Sequence, residues 1–149
     1  MAGTCELDCT VAGSCMLPVM CPTGMPCHVI CGSMACGGGV DCGGATTCTI
    51  DCPMMTSCPG FLSCDQAQVC NFNCTGLDSC SGSITGDAGP IDVECTGTNA
   101  CKGQVNCKNA CDCIVDCAPG SMCGPTNQCP AGCSSGEGCS DAPPCTPSC

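Results

Sequence analysis

Tyrosine, tryptophan and arginine are absent from this chain of 149 residues, phenylalanine occurs twice (Phe61, Phe72) and histidine once (His28). The large side chains that dominate apolar burial in ordinary domains are missing, which disfavours most helical and α/β folds. Basic charge is equally scarce: Lys102 and Lys108 stand against 13 Asp and Glu, a formal net charge of −11. Phosphate binding depends on many basic contacts, so a nucleic-acid partner is excluded. One His, no Tyr and no Arg leave few groups for general acid–base work near neutral pH, and the chain reads as a non-enzyme with no cofactor. No apolar run approaches the roughly 18 residues of a membrane span. The opening MAGTCELDC lacks the basic-then-apolar pattern of a secretion signal, so the sequence reads as a mature product or as one whose signal has been removed.

Cysteine is what the chain has in place of a core. It supplies 27 of 149 residues, about 18%, well beyond the share that marks a disulfide scaffold. Thiols in this number stay reduced in a mesophilic cytosol, so the composition predicts an extracellular or cell-surface location.

The cysteines are periodic. Successive gaps from Cys5 run 4, 6, 6, 6, then 4, 5, 6, 6, then 4, 6, 6, 6, so the unit is 22, 21 and 22 residues long. Each unit opens with C-x-x-x-C, as in Cys5 to Cys9, Cys27 to Cys31, Cys48 to Cys52, Cys70 to Cys74 and Cys113 to Cys117, with Ile91 to Cys95 in phase. The middle residues Leu7, Val29, Ile50, Phe72, Val93 and Val115 complete a period-2 pattern of short strands with cysteine and aliphatic residues inward. A second inward column stands two residues before each third cysteine: Val19, Val40, Leu62, Ile84 and Val105, with Asn127 in the sixth copy. Gly38, Gly60, Gly82 and Gly103 form a further column, read as turn glycines that adopt conformations a Cβ forbids. The fold expected is all-β: a parallel β-solenoid of about six 22-residue coils with an interior of disulfides.

Pairing is argued from the place where the pattern fails. In the fourth unit the third and fourth cysteines become Gly86 and Ile91 while Cys74 and Cys80 remain, and a joint loss suggests partners. On that parity, Cys9 pairs with Cys15, Cys31 with Cys36, Cys52 with Cys58, Cys74 with Cys80, Cys95 with Cys101 and Cys117 with Cys123. Cys21 then pairs with Cys27, Cys42 with Cys48, Cys64 with Cys70 and Cys107 with Cys113. Bridges between stacked coils are the alternative, because connectivity is not in general deducible from sequence.

Cysteines six apart in a tightly wound coil resemble the disulfide-cored β-helices of hyperactive insect antifreeze proteins, and C-x-Φ-x-C with C-x5-C links is similar to uncharacterised Cys-rich repeat proteins secreted by some bacteria. The resemblance covers residues 5 to about 133 and implies the coil architecture. Ice binding in the antifreeze family uses Thr-x-Thr pairs, whereas the outward pairs here are Glu6/Asp8, His28/Ile30, Asn71/Asn73 and Asp92/Glu94.

Other chemistries fit less well. The chain has no C-x-x-C and a single C-x-C, Cys111-Asp-Cys113, which favours structural disulfides over a metallothionein-like cluster. The eight Met residues read as adaptable filling. Asp8, Asp51, Glu94 and Asp116 share one outward column, interrupted by Ile30 and Asn73, and read as a solvated acidic face without a metal. His28 has no Ser, Cys or carboxylate at a catalytic spacing and reads as surface.

Residues 1–133 are expected to form the repeats and residues 134–149 an irregular Cys- and Pro-rich tail or cap. Solenoids need polar caps, and an uncapped strand edge is a template for further pairing. The function expected is a structural protein that stacks head to tail with copies of itself into an extracellular filament or matrix. The competing classes are a monomeric surface-binding module and a metal-sequestering protein. An odd cysteine count leaves one sulfur over. Cys5 is the candidate for an inter-subunit link, with Cys133, Cys139, Cys145 and Cys149 as partners. Cys111, at an inward position shared with Met25, Thr46 and Gln68, is the rival for the extra thiol.

If cross-links replace the core, reduction abolishes the fold, each native bridge being worth about 2–5 kcal/mol in small secreted domains. Thiol titration of the native protein is expected to find no more than about two free thiols per chain; ten or so would remove the disulfide reading.

Overall fold

The structure, a computed structural model, describes residues 3–87, 89–110, 112–121 and 123. It is an all-β parallel solenoid. Six longer strands form one sheet: β1 (Cys5–Cys9), β3 (Cys27–Cys31), β5 (Cys48–Asp51), β7 (Cys70–Cys74), β9 (Pro90–Cys95) and β11 (Asp112–Cys117). Five two-residue strands form the other: β2 (Val19–Met20), β4 (Val40–Asp41), β6 (Leu62–Ser63), β8 (Ile84–Thr85) and β10 (Val105–Asn106). The chain alternates between the sheets, so the described residues make about five full turns and open a sixth. Asn127, expected in the sixth copy of the second column, lies outside the described residues, as does the expected boundary near residue 133.

The register has no offset. Leu7 stands beside Val29, Val29 beside Ile50, Ile50 beside Phe72, Phe72 beside Val93 and Val93 beside Val115. On the second sheet Val19, Val40, Leu62, Ile84 and Val105 align likewise. A one-residue slip would turn every inward cysteine and aliphatic residue to solvent, so burial enforces the register. Both aliphatic columns are fully buried except at the first coil, where Leu7 and Val19 are covered on one side only and remain half-exposed.

Between the sheets the chain turns twice per coil, and a disulfide closes each described corner except the second of coil four, where Gly86 and Ile91 stand. The first corner is a hydrogen-bonded turn in which Ala35 N–H donates to Gly32 O, Ser57 N–H to Met54 O, Ser79 N–H to Gly76 O and Ala100 N–H to Gly97 O. The third residue of each turn (Met34, Thr56, Asp78, Asn99) has φ between 53° and 56°, and the bridged cysteine two residues later (Cys36, Cys58, Cys80, Cys101) has φ between 48° and 58°. Left-handed backbone costs an L-residue about 1–2 kcal/mol, so each corner holds two strained residues beside its cross-link. The residue between them is small and buried: Ala35, Ser57, Ser79 and Ala100. The buried hydroxyls are satisfied locally, Ser57 Oγ donating to Met54 O at 2.7 Å and Ser79 Oγ to Gly76 O at 2.8 Å.

The glycine column has a different cause from the one expected. Gly38, Gly60, Gly82 and Gly103 do not have positive φ. Successive coils instead approach so closely there that a Cβ on Gly82 would meet the carbonyl oxygen of Gly60, and one on Gly103 that of Gly82. Gly97 lies over Gly76 in the same way at the first corner. Glycine is required by contact between neighbouring backbones.

Where coil four lacks its second bridge, a Cβ on Gly86 would run into Cδ1 of Ile91. Ile91 is buried and occupies the volume the missing disulfide leaves. A further inward column of small residues, Ala45, Ala67 and Ala110, lines the second corner. The neighbouring position, read as inward for Met25, Thr46 and Gln68, is half-exposed at the first two and exposed at Gln68, which corrects that assignment.

Gly82→Ala is expected to lower stability by about 3 kcal/mol or more, since the clash is with backbone that cannot yield, whereas Gly3→Ala, where a Cβ meets nothing within 4 Å, should be neutral. Calorimetry with disulfides intact checks both; equal melting temperatures for the two variants would refute the contact argument.

Candidate functional site

Ten bridges are described, and each joins cysteines five or six residues apart. The first corner carries Cys9–Cys15, Cys31–Cys36, Cys52–Cys58, Cys74–Cys80, Cys95–Cys101 and Cys117–Cys123. The second carries Cys21–Cys27, Cys42–Cys48, Cys64–Cys70 and Cys107–Cys113. Stacking brings sulfurs of neighbouring coils together: Cys21 Sγ lies 3.8 Å from Cys48 Sγ. Cys31 with Cys52 and Cys58, and Cys42 with Cys48 and Cys70, form groups of sulfurs all within 4.8 Å of one another. Every member of these groups is bridged, so none is a thiolate able to bind a soft metal while the disulfides stand. Cys5 is the free cysteine among the described residues, half-buried in edge strand β1. Cys111, Cys133, Cys139, Cys145 and Cys149 lie outside the described residues.

The outward face of the six-stranded sheet is polar. Parallel register stacks Asp8, Ile30, Asp51, Asn73, Glu94 and Asp116 in one line and Glu6, His28, Thr49, Asn71, Asp92 and Ile114 in the next. In its middle the face is stitched by side chains: His28 Nε2 lies 2.7 Å from Asp51 Oδ2, and Asn73 Nδ2 donates to Asp51 Oδ1 at 2.6 Å. His28 lies on the outward face, as read from the sequence, and there it has a carboxylate partner. The partner is 23 residues away in sequence and one coil away in space, so no local spacing signals it.

Toward coils five and six the same face has no cation among these lines. Partial loss of hydration raises the pKa of Asp92 above the ordinary carboxylate range, and the neighbouring charges of Asp116, Glu94 and Asp112 add to the effect. Asp78 is lowered chiefly by its hydrogen bond to Lys102, and Asp8 by hydrogen bonds from Thr10. Apolar side chains are exposed on the first four coils. The first coil alone shows Leu17 (80%), Val11 (74%), Met20 (69%) and Met16 (60%) to solvent. Among the described residues no helix is long and apolar enough to cross a membrane.

These features define a class, the disulfide-cored parallel β-solenoid built from short Cys-rich repeats. No family model matches the chain, and neither a curated protein nor a solved structure matches it.

Because the folded protein holds the Asp92 proton more tightly than the unfolded chain does, this group adds stability as pH falls through its raised value and loses it as pH rises. Asp92→Asn is expected to stabilise the protein at neutral pH by no more than about 0.5 kcal/mol, since the site is solvated. The part of the gain due to the neighbouring charges should fade in about 1 M salt, where the screening length is about 3 Å, while the part due to lost hydration should remain. A Tm difference that salt leaves wholly unchanged would assign the effect to lost hydration alone and remove the neighbouring charges as a cause.

Proposed function

We propose that this chain is an extracellular structural protein that stacks head to tail into a disulfide-reinforced filament or matrix. The observation that carries the reading is the zero-offset register. Each coil presents the same row of backbone donors and acceptors as the one before it, so the edge formed by β1 and β2 matches what an internal coil accepts. Laying β1 of one molecule on β11 of the next would continue the inward columns, with Leu7 over Val115 and Cys5 over Cys113. Exposed Val11, Met16, Leu17 and Met20 on the first coil add apolar surface at that edge. A contact of this head-to-tail kind does not close and so generates a fibre. The oxidising compartment that ten bridges need, and the resemblance to secreted Cys-rich repeat proteins, support the extracellular assignment. The net charge of −11 argues against a nucleic-acid partner.

A second reading, a monomeric surface-binding module such as an adhesin or an ice or mineral binder, draws on the regular polar face held by Asp51 between His28 and Asn73. Metal sequestration is a third and requires the sulfur groups to be reduced.

Negative-stain microscopy of native material separates the first two. The filament reading expects fibres with an axial rise of about 30–35 Å per chain, since six rungs at about 4.8 Å give roughly 29 Å before the tail is counted. Monodisperse monomers in light scattering at high concentration would sink it, and stoichiometric metal in elemental analysis would favour the third.

A further inference from the structure

The two corner stacks differ in one respect. At the first corner every described cysteine is bridged, from Cys9–Cys15 through Cys117–Cys123. The second contains a free thiol at one end and an interruption further along. Cys5 pairs in register with Cys27, which is bridged to Cys21. Adjacent parallel strands hold such residues at about 4.8 Å, inside the Cα separation a disulfide accepts. Cys21 Sγ lies 3.8 Å from Cys48 Sγ, and Cys42, Cys48 and Cys70 have sulfurs within 4.8 Å of one another. Beyond Cys64–Cys70 the column meets Gly86 and Ile91, which carry no sulfur.

We propose that the second corner is a thiol–disulfide relay that moves a free thiol from Cys5 to Cys64 and stops there. The Cys5 thiolate attacks Cys27 Sγ; the Cys21–Cys27 bond breaks, Cys5–Cys27 forms, and the electron pair leaves on Cys21 Sγ. Cys21 then attacks Cys48, forming Cys21–Cys48 and releasing Cys42. Cys42 attacks Cys70, forming Cys42–Cys70 and releasing Cys64. Each step breaks one S–S bond and makes one, so no oxidant or reductant is consumed. Solvent takes the proton from Cys5 and returns one to the last thiolate. Exchange proceeds through the thiolate and through approach of the attacking sulfur to the bridge; strand register brings Cys5 beside Cys27, and stacked sulfurs supply the approach for Cys21 on Cys48 and Cys42 on Cys70. The first corner stays out of the exchange, because Cys9 lies at the far end of β1 from Cys5, about 13 Å away along the strand.

The consequence is mechanical. Before exchange each bridge staples a coil to itself; afterwards three bridges staple neighbouring coils to one another, and the thiol sits at Cys64, which is buried. An accessible thiol thereby becomes an internal one and the first four coils become covalently joined. None of this depends on filament assembly.

The test uses the full-length oxidised protein held at mildly alkaline pH without reductant, quenched with acid, unfolded and alkylated in acid, then digested with pepsin and mapped by mass spectrometry. Alkylation at Cys5 should fall at least about two-fold with time as label rises at Cys21, Cys42 and Cys64 and Cys5–Cys27 cross-linked peptides appear. Cys5→Ser should show none of this, and any label within residues 111 and 129–149 common to both proteins subtracts out. Label that stays at Cys5 overturns the relay. Label spreading equally to first-corner cysteines, or to Cys107 and Cys113, would mean general scrambling and overturns it too.

Discussion

A coil of 21 or 22 residues folded into two short strands is too narrow to enclose a conventional core, and the disulfide at each corner is the interaction on which everything else depends. Each bridge closes a loop of about six residues, a constraint worth about 2 kcal/mol by chain entropy, and the described part of the molecule repeats it ten times. The gain is modest per bridge and large in sum. It offsets a local cost: the cysteine that ends each first-corner loop is left-handed in coils one to five, as is the turn residue before it. Coil four shows what replaces a bridge. Ile91 fills the space, and Gly86 has no Cβ because Ile91 is there.

Stacking imposes the second constraint. Parallel strands in exact alignment bring every column of side chains into contact with itself, which suits sulfur, aliphatic residues and glycine but not carboxylates. Inside, the result is buried aliphatic columns and sulfurs close enough to touch across coils. Outside, it crowds Asp92, Glu94, Asp112 and Asp116 together, whereas in the middle of the face His28 and Asn73 reach Asp51 through hydrogen bonds. Backbone approach at Gly60, Gly82 and Gly103 follows from the same alignment. Repetition of one coil thus accounts for both a potential assembly edge and a line of exchangeable disulfides.

Much of this was legible in the sequence because a solenoid is nearly one-dimensional: the spacing of cysteines and of Leu7, Val29, Ile50, Phe72, Val93 and Val115 defines strands, faces and register together. The joint loss at Gly86 and Ile91 even pointed to the corner pairing the structure contains. Small residues carried no such signal. Ala35, Ser57, Ser79 and Ala100 are confined by a tight turn, and Ala and Ser are too common at exposed sites for their burial to be read from type alone.

Period and composition by themselves determined the class of fold and the two inward aliphatic columns, since each follows from residue type at fixed intervals along the chain. Only the tertiary structure decided which atoms meet across coils. The pairing of His28 with Asp51, the reason for the glycine column and the 3.8 Å approach of Cys21 to Cys48 all join residues separated by one full turn. Such contacts depend on the rise and lateral offset between coils, and those are set by backbone hydrogen bonding and side-chain volume, which no spacing in the sequence encodes.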